Sequence, residues 1–495
     1  MKRILFLFIF LKIFEHGSID AQISFNNTYH NVVDNDFNIL NDPNGYAKVM
    51  LSYNPPFTQY IFQRLDFQGA VQSSKTYGSS SEYFIIYSFI KTFDIKYAIG
   101  SYYRDITTQK VYAYIAKLDI NGDTLWTTKY PAPQGYDYYG NYMIETSDHG
   151  FLITGEIADS ALTDGDIFIL KTDSIGNFEW MNSFGGIRFD CGYSSVQTPD
   201  GGYLTSGWTR SFGFGNNSNR DDIVVKWDSL GNYQWHKTYG TIYNETAVGI
   251  LKLSDGNYII GSGRNDLVLD LPYGKILKID INGDVIWQKF QGIGVDSYSW
   301  VREMNNLDLV GAGSRKNNGL TDGFIIRTDS SGTEKWRRQY RYGNSHCYFR
   351  DVQETPDGGI ICAGFVFDGA SGGQDGWLVK LDSTGCLSTG CGEPTGLFET
   401  ASTSSFTITV SPNPITTQAL IKVEGLTQRL LNEHYQLRVY DLQGKIVQQP
   451  QTGFLIADTW IECIFKPVGL HAGIYLVEIA TYGGERLGVV KVVVQ

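Results

Sequence analysis

Histidine is scarce, seven in 495 residues, and the seven are scattered with no His-Glu-x-x-His pair; six cysteines include no Cys-x-x-Cys. A zinc site therefore has no support in the sequence. Charged residues are only 19% of the chain, and the Ala/Glu/Lys/Leu bias of a helical bundle is missing, as is a clean heptad. Those shortages exclude a disordered chain and a coiled coil. No apolar stretch of about 18 residues occurs downstream of the N-terminus, so no transmembrane helix is expected once the leader is removed. A membrane barrel is disfavoured as well, because Gly, Asp and Asn interrupt the strands too often. Rossmann and phosphate-loop motifs are missing. Gly369 to Gly373 matches the hydrolase elbow in form only, since it lies in a Gly/Ser loop between strands and not between a strand and a helix.

Aromatics and glycine fill the space those residues leave. Tyr 32, Phe 28 and Trp 10 make 14% of the chain, and Gly reaches 55, a mixture that points to all-β structure. Lys2 and Arg3 precede an apolar run from Ile4 to Phe14 and a small residue, Ala21, which reads as a secretory signal over residues 1–21. Net charge is −12, and the excess of acids lies ahead of residue 400, since the last 96 residues balance. An acidic body disfavours nucleic acid and anionic membranes as partners. In an oxidising compartment Cys386 and Cys391 suit a small local bridge. Hairpin register keeps Cys347 away from Cys362, by placing it opposite about residue 368, and leaves those two with Cys191 and Cys463 as small core residues.

A repeat organises the chain. Lys or Arg, then Asp two residues on, Gly three further and Trp four beyond recurs as Lys117-Asp119-Gly122-Trp126, Lys171-Asp173-Gly176-Trp180, Lys226-Asp228-Gly231-Trp235, Lys278-Asp280-Gly283-Trp287 and Arg327-Asp329-Gly332-Trp336. Outer copies at Arg64-Asp66-Gly69 and Lys380-Asp382-Gly385 replace Trp by Ser73 and Thr389, making seven copies spaced 49 to 55 residues apart. Between them sits a second turn, seen as "TSDHGF", "TPDGGY", "LSDGNY" and "TPDGGI", with weaker versions near Asn44, Asp94 and Asn305. Two hairpins per ~53 residues make four short strands, one propeller blade. The fold expected is therefore all-β, a seven-bladed β-propeller over residues 22–392, with each Trp wedged between blades. "DINGD" at Asp119 and Asp280 has Gly at the wrong position for a calcium loop and reads as a turn. The seventh unit lacks its last strand, and Phe25 with Tyr29 reproduces the four-residue spacing of Trp126 with Tyr130 and Trp336 with Tyr340, so the first mature residues are expected to close the ring.

A Gly/Ser/Thr-rich linker at 393–405 leads to a β-sandwich at 406–495. Its runs "ITVSPNPITTQALIKVE", "LRVYDLQGKIV", "GIYLVEI" and "GVVKVVV", in that order at the terminus, resemble the C-terminal sorting domain of the type IX secretion system of Bacteroidetes-type bacteria. The resemblance implies export to the periplasm by the leader, passage across the outer membrane through the type IX machinery, and release or surface anchoring. The matching positions are Pro412, Asn413, Pro414, Asp441, Gly444, Gly473, Tyr475 and Lys491. Repeat-rich propeller proteins of the cell surface are a looser likeness, which names no activity.

The tight turns share one propeller face and the longer connections the other, where function usually resides. That second face gathers Glu82, Asp137, Asp190, Glu245 and Asp296 at the heads of successive first strands, and Asp166, Asp221, Asp322 and Asp375 ahead of third strands. These acids are either solvated turn caps or a ring that takes a cation or a basic partner; calcium is the one ion considered, and no cofactor is expected. Trp208 and Phe214 stand among the aromatics of the same loops, with Tyr136, Tyr138, Tyr139, Phe212, Tyr243, Phe365 and Phe367. The function expected is a secreted or cell-surface binding or adhesion protein whose propeller holds a glycan or a protein. The rival class is a secreted polysaccharide lyase or hydrolase, whose acids would sit ~5–10 Å apart across a cleft.

Overall fold

The computed structural model describes residues 24–29, 38–54, 57–79, 82–159, 164–213, 219–240, 244–266, 271–293, 295–317, 319–367, 374–387, 407–424, 426, 435–441, 446–451, 454–457, 460–481 and 486–495. The expected leader at 1–21 and linker at 393–405 lie outside these residues, as do Gly444 and Cys391. Cys386 is disulfide-bonded, while Cys191, Cys347, Cys362 and Cys463 are buried free thiols. Among the described residues there is no helix, hence none long and apolar enough to cross a membrane.

Among the described residues every strand belongs to a four-stranded antiparallel sheet, and seven of the nine sheets follow one another along residues 25–381 as blades. Blade 1 starts at Asn38, blade 2 at Glu82, blade 3 at Tyr136, blade 4 at Asp190, blade 5 at Asn244, blade 6 at Val295 and blade 7 at His346. The fourth strand of blade 7 is Phe25–Tyr29, which pairs with Gln374–Leu381 in a register that sets Phe25 opposite Lys380 and Tyr29 opposite Gly376. Ring closure by the first strand is therefore observed. Apolar side chains fall into seven clusters, each shared by two successive blades, and the one that joins the ends brings Ile39, Met50 and Leu65 of blade 1 onto Ile361, Ala363 and Leu378 of blade 7. The core is thus a ring of interfaces, with no edge strand left over between blades 7 and 1.

Local chemistry explains the repeat. In the Asp-x-x-Gly turn the Asp119 carboxylate accepts the N–H groups of Asn121 at 2.8 Å and Asp123 at 2.7 Å, while Gly122 takes φ of +85°, the left-handed region glycine favours. Asp280 does the same with Asn282 and Asp284, so both "DINGD" carboxylates cap turns. The repeated Lys or Arg reaches back to the Asp of the second turn in all seven blades, for example Lys171 to Asp148 at 2.8 Å, Lys226 to Asp200 at 2.9 Å and Arg327 to Asp308 at 2.7 Å. One cation, buried where it is Lys and half-buried where it is Arg, thereby fastens the two hairpin turns of a blade together. The repeat Trp lies over the turn glycine of the next blade: a Cβ on Gly176 would stand 2.6 Å from the Trp126 ring, and one on Gly283 would stand 2.8 Å from Trp235. Most of these rings are half-buried, so each covers the neighbouring turn and is less deeply enclosed than the core.

Register corrects one expectation. A hairpin centred on Asp357 sets Cys362 opposite Val352, and a bulge between Phe349 and Asp351 adds one more residue of shift, so that Cys347 faces Val366 and not residue 368. The remaining two sheets, Thr407–Ser411, Ala419–Glu424, Trp460–Phe465 and Leu455–Ala457 on one side and Ile446–Gln451, Tyr435–Tyr440, Gly473–Thr481 and Arg486–Val494 on the other, share a core of Ile421, Val423, Ile461, Leu437, Val439 and Val477. That is the expected sandwich.

Candidate functional site

Successive first strands pack on one another around the whole ring, so they line its axis. Six of them carry a β-bulge at one position, with Tyr87, Asn141, Tyr193, Val248, Ser299 and Arg350 as the extra residues. A bulge leaves a residue unpaired and re-aims its side chain. Here each is more exposed than the residue before it, and Tyr87 and Arg350 are open to solvent. One residue beyond the bulge, Tyr142 of blade 3 meets Trp300 of blade 6 with ring centroids 4.8 Å apart, and the Arg302 guanidinium lies 4.8 Å from the Trp300 ring while bonding Asp351 at 3.1 Å. Side chains of blades 3 and 6 therefore meet across the axis at this level.

On the side of the longer loops the predicted acids are placed individually. Asp137 is buried and accepts the Val111 N–H at 2.9 Å. Asp190, fully buried, accepts from Gly186 N at 2.9 Å, Thr209 Oγ1 at 2.5 Å, Arg210 N at 3.1 Å and Ser211 N at 3.3 Å. Glu245 is fully buried, and its N–H bonds the Arg220 carbonyl at 2.7 Å. Glu82 accepts the Ser79 N–H at 3.0 Å and faces Lys129 at 3.4 Å. Asp322 pairs with Arg341, and Asp221 is buried. The Asp166 carboxyl is pushed up to about 6, by burial first and then by Asp190 and Asp164. Phe214, Tyr243 and the Asp296 side chain lie outside the described residues. No group of three or more His, Cys, Asp or Glu that could hold a metal ion occurs among the described residues.

Residues the sequence reading passed over come together instead, across blades 2, 3 and 4. Tyr102 packs edge-on to Tyr139 at 5.4 Å and beside Tyr87 at 6.2 Å, and the Arg104 guanidinium lies 5.5 Å from the Tyr83 ring. Next to them Glu156 accepts from Asn141 Nδ2 at 2.6 Å and from the Cys191 thiol at 3.1 Å; Asn141 also donates to Gly192 O at 2.9 Å. Burial pushes the Glu156 carboxyl up to about 7 against the opposing pull of those two donors. On the far side of Cys191 lies Trp208, buried and stacked on Phe189 at 5.6 Å, with Arg220 4.4 Å and Arg210 5.6 Å from its ring. Of this patch the sequence reading named Tyr139 and Trp208. A usable signal was present: Gly155 and Gly207 sit mid-strand because a Cβ there would strike the Tyr139 and Cys191 carbonyls at about 2 Å, and such a glycine marks a neighbouring bulge.

Comparison with curated proteins finds no match. Among solved structures the chain is similar to the β-propeller domain of the Trilobed protease from Pyrococcus furiosus, at 10% identity and a TM-score of 0.42 over 72% of this chain and 96% of that one. It is similar also to the polysaccharide lyase Uly1, at 11% identity and a TM-score of 0.42 over 70% and 89%. A third is an exo-beta-1,3-galactanase from Phanerochaete chrysosporium, at 11% identity and a TM-score of 0.33 over 90% and 96%. Likeness at that level says nothing of this chain's chemistry. Residues 409–495 match the secretion system C-terminal sorting domain, so the chain carries a type IX sorting tail and is exported through the periplasm to the cell surface or beyond it.

Proposed function

We propose that the propeller is the ligand-binding part of this exported protein and that it holds a glycan at the loop-side mouth of its axis. The observation that supports this most is the patch of blades 2 to 4, where tyrosine rings, an amide, a carboxyl group and arginines come together. Aromatic faces take the C–H face of a sugar, and convergent polar groups fix its hydroxyls. The test is isothermal titration of the purified protein with soluble oligosaccharides, alongside Tyr83→Ala with Tyr87→Ala. Loss of affinity of tenfold or more with an unchanged melt supports the site; equal affinity in the double variant removes it.

A second reading has one observation behind it. Glu156, raised to about 7, is a carboxyl suited to move a proton near neutral pH, as a polysaccharide-cleaving enzyme requires. Chain shortening of a bound polysaccharide, abolished in Glu156→Gln while binding persists, would establish it. Binding without shortening leaves the protein an adhesin.

A further inference from the structure

Five arginines of this propeller are paired with a carboxylate. Arg64 pairs with Asp42, Arg302 with Asp351, Arg327 with Asp308, Arg337 with Glu334 and Arg341 with Asp322. Arg210 and Arg220 of blade 4 are different: among the described residues neither has a carboxylate within ion-pairing distance, and both guanidiniums lie against Trp208 instead. Of the nearby acids, Asp190 is engaged by four donors and Glu156 by Asn141 and Cys191. Arg188, across the loop that Ser211 ties down, adds a third positive charge, and its repulsion together with that of Arg220 weakens the hold of Arg210 on its proton, after burial. Arg210 Nε is a buried donor with no acceptor. A buried donor left unmatched costs about 1–3 kcal/mol. An unmatched guanidinium nitrogen beside a second arginine that no described carboxylate meets calls for an anionic group from outside.

We propose that Arg210 and Arg220 form an anion subsite for the carboxylate of an acidic polysaccharide, a hexuronate. The proposal rests on the glycan reading of the patch and deepens it. A guanidinium presents its N–H edge as a planar fork, the geometry that bonds a carboxylate in two places. The subsite adjoins Tyr193 and, through Cys191, the Asn141 and Glu156 pair, so a sugar ring whose carboxylate is held there has neutral hydrogen-bonding groups and aromatic rings beside it. A saccharide with one charge per ring uses both halves of that arrangement; an acidic peptide would leave the ring-facing half idle. The negative body of the propeller repels polyanions at long range, which makes attraction at this spot a local and specific matter.

The test uses the full mature chain and two probes that differ only in charge, tetragalacturonate and its methyl ester, by isothermal titration at fixed salt. Binding of the acid at least tenfold tighter than the ester is expected, with that advantage lost in Arg210→Gln and in Arg220→Gln and the ester's affinity unaltered in both. Arg220→Lys, which keeps charge and gives up the fork, should lose part of the advantage, and it stands in should a Gln variant melt early. Equal binding of acid and ester overturns the anion subsite and leaves the glycan reading in place. Binding of neither probe, or of any neutral glycan, overturns both.

Discussion

The Tyr29 hydroxyl donates to the Gly69 carbonyl at 2.6 Å, the bond that Tyr130 makes to Gly176 at 2.7 Å, Tyr239 to Gly283 at 2.8 Å and Tyr340 to Gly385 at 2.7 Å. Each joins the outer strand of one blade to the Asp-x-x-Gly turn of the next. At the ring's seam the outer strand comes from the other end of the chain, and Phe25 covers Gly69 as the tryptophans cover their glycines. Closure therefore uses the same clamp as four of the six internal interfaces, where Tyr77 on Gly122 is the fourth example. Tyr29→Phe is expected to cost about 1 kcal/mol in urea unfolding, one net hydrogen bond. Removing residues 22–30 should do far more, since it bares the edge of Gln374–Leu381; early melting with aggregation is expected, and a wild-type melt would contradict closure.

The half-buried tryptophans set a different magnitude. Trp235 packs at the rim of the interface between blades 4 and 5 and over Gly283. Trp235→Ala should destabilise by about 2–3 kcal/mol, below the ~3–5 typical of an enclosed ring. Trp300, nearly fully buried at the axis against Tyr142, belongs to the higher range. Urea melts of the two variants check the order, which would be reversed if Trp300 were open to solvent.

Acid should loosen the blades at their turns. Burial disfavours the charged forms of Asp148 and Asp200, yet donors outweigh it, Lys171 and Thr146 at the first and Thr198 and Lys226 at the second, and hold both carboxyls at about 2. A carboxyl depressed in the folded state stabilises above its unfolded value of 3.8, and that stabilisation is lost as pH falls from there through about 2. The Asp148→Asn, Asp200→Asn double variant should be less stable at pH 7 and show a flatter decline between pH 4 and pH 2. Both groups are more than half exposed, so the slope change is modest.

Glu156 works with the opposite sign. Its folded value of about 7 against 4.5 unfolded means that its contribution is full below pH 4.5 and is lost as pH rises through 7. Glu156→Gln keeps an acceptor for Asn141 and removes the charge. The variant should melt with wild type at pH 4.5 and above it at pH 8.5, by up to about 3 kcal/mol. Coincident melts at both pH values would mean that Glu156 is not desolvated.

What the residues reveal unaided follows from how each feature is encoded. Asp and Gly in a turn are demanded by backbone geometry, so blades and seam can be read from spacing alone. The second turn is less legible where Ile95, His149 and Leu307 take positive φ without glycine, which is why two of those copies look weak. Lys171 and Asp148 lie 23 residues apart, and their pairing needs the register of the intervening strands. Asp190 and Trp208 were visible as residue types, but whether a carboxylate faces water or caps a loop depends on burial. Arg210 and Arg220 acquire meaning only from the acids that fail to meet them.

The sorting tail offers the last test, because its first motif and its final strand prove to be one unit. Asn413 Oδ1 accepts the Val493 N–H at 2.8 Å and its Nδ2 donates to Lys491 O at 3.0 Å; beside it Ile415 N donates to Val493 O at 2.6 Å, and Gln495 N to Ile415 O at 2.9 Å. Pro412 and Pro414 flank that asparagine, so the motif reads as a clip whose side chain replaces a strand partner for the chain's last residues. Asp441, Gly473 and Tyr475 lie on or beside the sheet that the same final strand completes. Asn413→Ala removes both side-chain bonds, a loss of about 1–3 kcal/mol confined to the sandwich. The expected outcome in the native host is accumulation in the periplasm of a protein whose propeller still melts as wild type, read by cell fractionation and calorimetry. Normal export of Asn413→Ala would mean that the machinery reads the tail without needing its last strand held in place.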